Sequence, residues 1–548
     1  MKKIISTISM ALLAITFANA QAPVKTITGN LNGNVNWSND TIYKLTGKVY
    51  VKAGGTLNIA PGTIIKGDVA TAGSCLIVTR GGKINAVGTP TQPIVFTSSA
   101  TPGNKSTGDW GGLVIAGNAK VNVTGGIGTF EGGNLANPDG TTSDGQYGGL
   151  NDLDNSGELK YVRIEYAGFP FAPNNELNGL TMGGVGSGTK ISYIQVSYGL
   201  DDAFEWFGGT VNCDHLVSFR GNDDDFDTDF GFSGKVQFGV ALRDTAVADA
   251  VSGANGFESD NDAAGSGNGP KTRAIFSNFT MVGPRHTGSV SDTNYNKNFK
   301  RGAHIRRNSE QSIFNSIFMG WPTGNHIDGD SCHKNADSSL LVMQNNVIAG
   351  CKLNLDSVGG VTWNISPWFN ATANENTIYS ANSDVMLTSP FDYFNPNFRP
   401  TSTSPMLSGA AFTNPKLANG FTSVNYRGAF GTDDWTADWT NFNPDTASYT
   451  NGIFPLSINN TIKNNIAIQV YPNPATNVAN IQFNLPTSAT VTLSIVDLNG
   501  KVVSSNTEKL NAGNNKFMFN TNMLSNGIYS VRLTSNEFVA TQKLSVIK

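Results

Sequence analysis

Charge is what this chain has least of. Charged residues are 14% of it, against about 25% in an ordinary globular domain. The formal net charge is −4 over 548 residues, and no basic run is present, which argues against a nucleic-acid partner. Cysteine is nearly absent: Cys75, Cys213, Cys332 and Cys351 are the whole set. After the N-terminus no stretch approaches the ~20 apolar residues of a membrane helix. Amphipathic helical periodicity is hardly found, so a cytosolic helical enzyme does not fit. No Ser-His-Asp order, zinc-type CxxC pair or phosphate loop stands out, and GGVGSG at 183–188 lacks the lysine of a P-loop. No organic cofactor is expected.

What is present points outside the cell. Glycine reaches 61 residues, and Asn, Thr and Ser are abundant, a mix suited to a β-rich protein with many tight turns. Lys2 and Lys3 precede a mostly apolar stretch, Ile4 to Phe17, and Ala18-Asn19-Ala20 is an A-x-A cleavage site. Residues 1–20 therefore read as a signal peptide, with a mature chain starting near Gln21. Export permits disulfides. The spacing of Cys332 and Cys351 is close to the repeat described next, so a stacked, bonded pair is the alternative to two unpaired thiols. Buried unpaired thiols are expected at Cys75 and Cys213.

From Val24 to about Phe430 one grammar recurs. Short apolar or β-branched runs, such as LNI (57–59), LIV (76–78), PIVF (93–96) and ISYIQVSY (191–198), sit between Gly, Asn, Asp or Thr. Several recur at about 18–24 residues: Ile64 to Ile84, Ile94 to Val114, Ile194 to Leu216. That period suits one coil of a parallel β-helix. Glycine-rich stretches at 125–157 and 252–270 read as loops off the stack.

The texts GTLNIAPGTIIKG, GDWGGLVIAGNA and DNSGELKYVRIEYAG resemble those of a family of secreted right-handed β-helix proteins. The family occurs in bacteria with the type IX secretion system. The resemblance covers roughly residues 40–430 and implies a fold and a habitat rather than an activity. From Ile466 a second grammar begins: alternating strands with NG turn signals at Asn499-Gly500 and Asn526-Gly527. About seven strands in ~80 residues argue a small β-sandwich. YPNP at 471–474, LNGKVV at 498–503, GIYSVRL at 527–533 and the terminal KLSVIK closely resemble the type A C-terminal sorting domain of that secretion system. The resemblance implies passage through the outer membrane to the surface or beyond. The expected layout is a signal peptide (1–20), an all-β body forming a right-handed parallel β-helix (21–440), a linker (441–465) and a β-sandwich sorting domain (466–548). The sorting domain would meet the secretion machinery, and the mature chain would carry no transmembrane segment.

One stretch concentrates chemistry. Residues 198–231, 34 in number, hold nine of the 41 carboxylates. If the run from Asp223 is extended, Asp223, Asp225, Asp227 and Asp229 share one face and Phe226 and Phe230 the other. Same-face carboxylates about 7 Å apart call for a counter-charge. Asp201, Asp202 and Glu205 precede them by about one coil. The seven acids Asp201, Asp202, Glu205, Asp223, Asp225, Asp227 and Asp229 read as a calcium site tying coils together, against a solvated or turn-forming acidic face. Glu258, Asp260 and Asp262 follow further on. Asp152, Asp154, Ser156 and Gly157 fit the front half of a calcium loop, but Arg163 stands where its closing acid belongs, so a turn is the better reading.

A basic set comprises His215, Arg220, Arg285, His286, Lys300, Arg301, His304, Arg306, Arg307 and His326. β-Helix polysaccharide lyases pair calcium with a Lys or Arg base, and β-helix hydrolases use clustered Asp. Neither pattern is found whole. Candidate catalytic residues on that reading are Asp201, Asp202, His215, Asp223, Lys300, Arg301 and His304. The competing account makes the basic residues salt-bridge partners of the acids. Trp206, Trp321, Trp363, Trp368, Tyr166, Phe169 and Phe171 suit either a sugar-binding groove or the core, with the core the commoner role. Two function classes follow: a surface protein binding glycan, matrix or surface lipopolysaccharide, with a structural calcium site, or a polysaccharide lyase or glycoside hydrolase.

Overall fold

The computed structural model describes residues 22–130, 135–172, 175–287, 293–449, 468–485, 487–496, 502–535 and 539–548. The signal peptide, the Asn499-Gly500 turn and most of the expected linker lie outside the described residues. The chain divides into two compact units, Met1–Phe454 and Pro455–Lys548.

The first unit is a parallel β-helix. Its 26 principal strands form one continuous parallel system, and each coil contributes to three faces. On the first face Ile42 pairs Ile64 and Ile64 pairs Val95, while Ile94, Val162, Ile194, Leu216, Gly239 and Phe279 stack in register on the coils that follow. On the second, Leu180, Phe204, Phe226, Phe257 and Ala303 stack rung on rung. On the third, Ile191, Cys213, Val236, Phe276 and Ile313 do the same. Side chains alternate in and out along each strand, so apolar residues of all three faces meet in one core. Phe204, Phe226 and Phe257 form an internal ring column with centroids 5.4 Å apart at each step.

The expected spacing holds for one of its three examples. Ile194 pairs Leu216 on the next coil. Ile64 instead pairs Val95, while Ile84 stands on the third face beside Leu57. Ile94 is on the first face and Val114 on the second. Those two intervals measured neighbouring faces of one coil. Coils vary because loops leave at the corners: the coil from Val162 to Ile194 is longer than the one from Ile194 to Leu216.

The corner between the third and first faces has its own rule. Tyr161, Tyr193, His215, Phe238, Asn278, Asn315 and Asn345 occupy it on successive coils, all at φ between 52° and 61°. A left-handed residue turns the chain in one step, and Asn adopts that conformation more readily than other non-glycine residues. The bulky residues there stack: Tyr161 on Tyr193 at 4.5 Å and Tyr193 on His215 at 4.2 Å.

The outer sides of the faces differ in cover. Phe398, Met406, Phe430 and Trp439, from the segment after the last coils, bury the outer side of the first face. Residues 441–449 also lie on the body and do not begin a linker: Asn441 bonds Gln195, and the Tyr449 hydroxyl donates to Glu165 at 2.8 Å. The glycine-rich excursion near 125–148 packs Phe130 and Tyr147 over Phe207 on the second face. Further along, the outer side of that face carries polar side chains.

The second unit has seven described strands in two antiparallel sheets, of three and four strands, around its own core of Ile481, Phe483, Val491, Ile495 and Val531. Asn526-Gly527 is not a hairpin turn. The strands beside it, Gly513–Asn520 and Gly527–Thr534, belong to different sheets, and the Asn526 side chain accepts from the Lys548 amide at 2.8 Å.

All four cysteines are free. Cys332 sits in the short helix Asp330–Asp337 and Cys351 just past the strand Val347–Ala349. They occupy different elements of the coil and form no disulfide.

Candidate functional site

Parallel pairing on the second face turns sequence intervals into a column. Glu205 neighbours Asp227, which neighbours Glu258, then His304, His326 and Asp356. Each rung rises by roughly 4.8 Å. The strand Phe226–Asp229 shows why: Phe226 and Thr228 are buried inward, leaving Asp227 and Asp229 on the outer side.

The run before it does not continue that alternation. Asp223, Asp224 and Asp225 lie in the turn entering the strand, so the four alternate aspartates do not share a face. Asp225 is fully buried and paired with the equally buried Arg243 at 3.2 Å, and accepts from the Ser218 hydroxyl at 2.6 Å. Arg243 also donates to the carbonyls of Gly221, Asp223 and Asn255. Asp225 is a corner tie to Arg243; its second oxygen is buried without a hydrogen-bond partner among the described residues, and it belongs to neither converging group of carboxylates described below. Burial, opposed by Arg243 and Ser218, leaves its carboxyl at about 6.

The remaining acids converge. One oxygen each from Asp201, Asp202 and Asp223 lie within 4.8 Å of one another, and so do oxygens of Asp202, Glu205 and Asp227. Asp202 belongs to both groups. Asp202 and Glu205 are each 7% exposed. Asp202 accepts from the Asp224 amide at 2.8 Å, and Asn178 donates to Glu205. One carboxylate oxygen of Asp223 and one of Asp227 are buried without a hydrogen-bond partner. Burial first, then neighbouring carboxylates, holds Asp202, Asp224 and Asp227 well above the ordinary carboxyl range. Asp223 is pushed up to about 7, mainly by burial, with Ser252 pulling it down. Asp201 and Asp223 open on a cleft of about 570 Å³, bounded by Leu200, Asn222, Asp249 and Ser252.

Downstream the acids find cations. Arg306 forks onto Asp260 at 2.8 and 3.1 Å and pairs with Glu258. Arg307 reaches Asp260 at 2.7 Å. His304 Nδ1 lies 3.3 Å from Glu258, and its Nε2 3.4 Å from Asp328. Glu258 is held low although burial raises it, because His304 and Arg306 favour its anion. The salt-bridge account thus describes this half of the column. Asp262 instead closes its own turn through Ser266 and Ala264.

Other predicted residues lie elsewhere. His215 stands at the third-to-first corner, stacked on Tyr193 and 2.5 Å from Asp214. It is not part of the acidic site, because the left-handed corner directs it away from the second face. Lys300 lies against Gly253, next to Ser252 of the cleft wall. Arg301 opens the strand Arg301–Ile305, where burial pulls it down while Asp328, Glu258 and Asp356 pull it up. Trp206 and Trp321 are fully buried and Tyr166 nearly so, so these three serve the core. Asp152 pairs with Lys120 at 2.7 Å, and Asp154 accepts from Asn118 at 3.0 Å, so that segment is a turn. Sequence reading passed over Asp328, Asp356 and Arg243. His304 and His326 are separated by the same interval as Glu205 and Asp227. That equality was the available signal for Asp328, which stands just past His326. Asp356 lies a longer coil away and carried no such signal.

Comparison with known families agrees with this architecture. Residues 469–548 match the secretion system C-terminal sorting domain. The protein is therefore exported through the type IX route to the outer-membrane surface or the extracellular space. Among the described residues no helix is long and apolar enough to cross a membrane. No curated protein matches the chain. Among solved structures, the Dettilon tailspike protein is similar at 10% identity and a TM-score of 0.20, over 63% of this chain and 61% of that one. Residues 29–387 match the pectate-lyase like beta helix domain, and the chain belongs to that family.

Proposed function

We propose that this exported β-helix protein binds acidic glycan or matrix at the cell surface, through calcium held by Asp201, Asp202 and Asp223 with Glu205 and Asp227 beneath them. One observation carries the reading: carboxylates from adjoining coils crowd within 4.8 Å at a cleft. A hard cation takes several oxygens at once and removes the repulsion among them. The partnerless oxygens of Asp223 and Asp227 offer it lone pairs. No nitrogen or sulfur donor belongs to either group, which fits calcium better than a transition metal. Calcium facing the cleft would take a glycan carboxylate as a further ligand.

A second reading rests on Asp223 alone. A cleft-lining carboxyl raised to about 7 is suited to general acid or base work, with Lys300 nearby. That favours a polysaccharide lyase or hydrolase.

A panel of acidic and neutral polysaccharides separates the two. Binding to acidic members that is lost in chelator, and lost in Asp223→Asn, without new reducing ends or unsaturated uronate absorbance, is the expected result. Turnover on any member would replace it with the enzyme reading. Chelator-insensitive binding would remove calcium from the account.

A further inference from the structure

Further along the same face, past the acidic group, stands a cluster of different chemistry. His304 and His326 are direct neighbours on adjacent parallel strands. Asp328 follows His326 by two residues and projects to the same side. One ring nitrogen of each histidine and one oxygen of Asp328 lie within 4.8 Å of one another. We propose that His304, His326 and Asp328 form a mononuclear site for a zinc-class divalent cation, distinct from the calcium group upstream.

The surrounding carboxylates are arranged as such a site requires. Behind His304, Glu258 lies 3.3 Å from Nδ1. Asp356 lies 2.8 Å from Nδ1 of His326 as an ion-pair neighbour, outside hydrogen-bond geometry. At His304 the Glu258 carboxylate fixes the ring's orientation and leaves Nε2 to face a metal. Nε2 of His304 is already turned toward Asp328, at 3.4 Å. Neither ring nitrogen of His326 has a hydrogen-bond partner among the described residues, in a side chain 3% exposed. A buried ring nitrogen left without a partner costs free energy, and a bound cation would remove that cost. Arg301 and Arg306 lie close enough to oppose a cation, but Glu258, Asp328 and Asp356 surround the same point and offset them.

Donor type selects the ion. Two imidazoles and one carboxylate suit zinc and its first-row neighbours, whereas calcium takes oxygen only. Three protein ligands leave a coordination position open. Asp328 borders a cleft of about 420 Å³ that Arg306, Arg307 and Ser331 also line. The ion would therefore be reachable from solvent, with two arginines placed to favour an anionic co-ligand.

The test uses the full chain, made without a polyhistidine tag and stripped with chelator. It is titrated with zinc by calorimetry and with cobalt(II) by visible absorption. One saturable equivalent per chain with cobalt ligand-field bands is expected. His326→Gln and Asp328→Asn should each weaken binding by about 100-fold or more, and Glu258→Gln by about 10–100-fold. Asp223→Asn should leave zinc affinity unchanged. Near-ultraviolet circular dichroism checks folding; if His326→Gln does not fold, Asp328→Asn decides, since that side chain is 36% exposed. No saturable zinc binding by the stripped chain, or equal affinity in wild type and Asp328→Asn, overturns the proposal. The histidines would then serve only as ion-pair partners of Glu258 and Asp356.

Discussion

Asp223 and Asp225 stand two residues apart and do opposite things. Asp225 is locked to Arg243 in full burial, where losing either partner would strand the other's charge at a cost of about 3–5 kcal/mol. Asp223 instead lines a cleft and stands among other carboxylates. That difference sets a pH dependence. A carboxyl whose folded pKa is raised supports the fold while protonated. For Asp223 the contribution is complete below its ordinary 3.8 and lost as pH rises through about 7. Asp202, Asp224 and Asp227 are raised too and act in the same direction. In chelator, the melting temperature should therefore fall as pH is taken upward across this window. Calcium should reverse the fall, adding about 2.7 kcal/mol at a hundred times its dissociation constant. A thermal scan at neutral pH with calcium against chelator reads this directly; coincident curves would remove the cation. The sequence displayed the acids but not their pairing, because Arg243 lies 18 residues from Asp225 and meets it only through the coil.

Among elements, the left-handed corner is the most telling. Its occupants change from aromatic to asparagine along the axis. The asparagines replace ring stacking with hydrogen bonds to the segment that covers them. Asn315 donates to Ser277 and Ala411 at 3.1 Å and accepts from the Ala411 amide at 2.9 Å. Asn315→Gly loses these bonds but keeps access to the left-handed backbone. Asn315→Ala loses both, at a further cost of about 1–2 kcal/mol. Urea unfolding should rank wild type above the glycine variant and the glycine variant above the alanine one; the reverse order would mean that side-chain volume, not backbone, controls the corner. The strands of this corner were legible as apolar runs. Its rule was not, since Tyr, His, Phe and Asn have no common sequence pattern and share only a backbone conformation.

At the scale of the whole molecule, two units divide the work. The C-terminal sandwich carries the export address, and the β-helix displays the second face. A chain ending at residue 454 should fold its body but remain in the periplasm, protected from protease added to intact cells. Surface exposure of that truncated chain would assign export to another segment. The sequence by itself determined the fold class and the one-coil steps from Glu205 to Asp227 and from Ile194 to Leu216, because alternation and turn residues are local properties, and the terminal sorting module through its likeness to a known family. It could not determine which residues face each other elsewhere, because loops of different length leave each corner and break the period. Only the tertiary structure decided that Ile64 pairs with Val95, that Cys332 and Cys351 stay apart, that Asp225 belongs to Arg243, and that His304 and His326 meet. Register, a property of the stacked coils, made each of those choices.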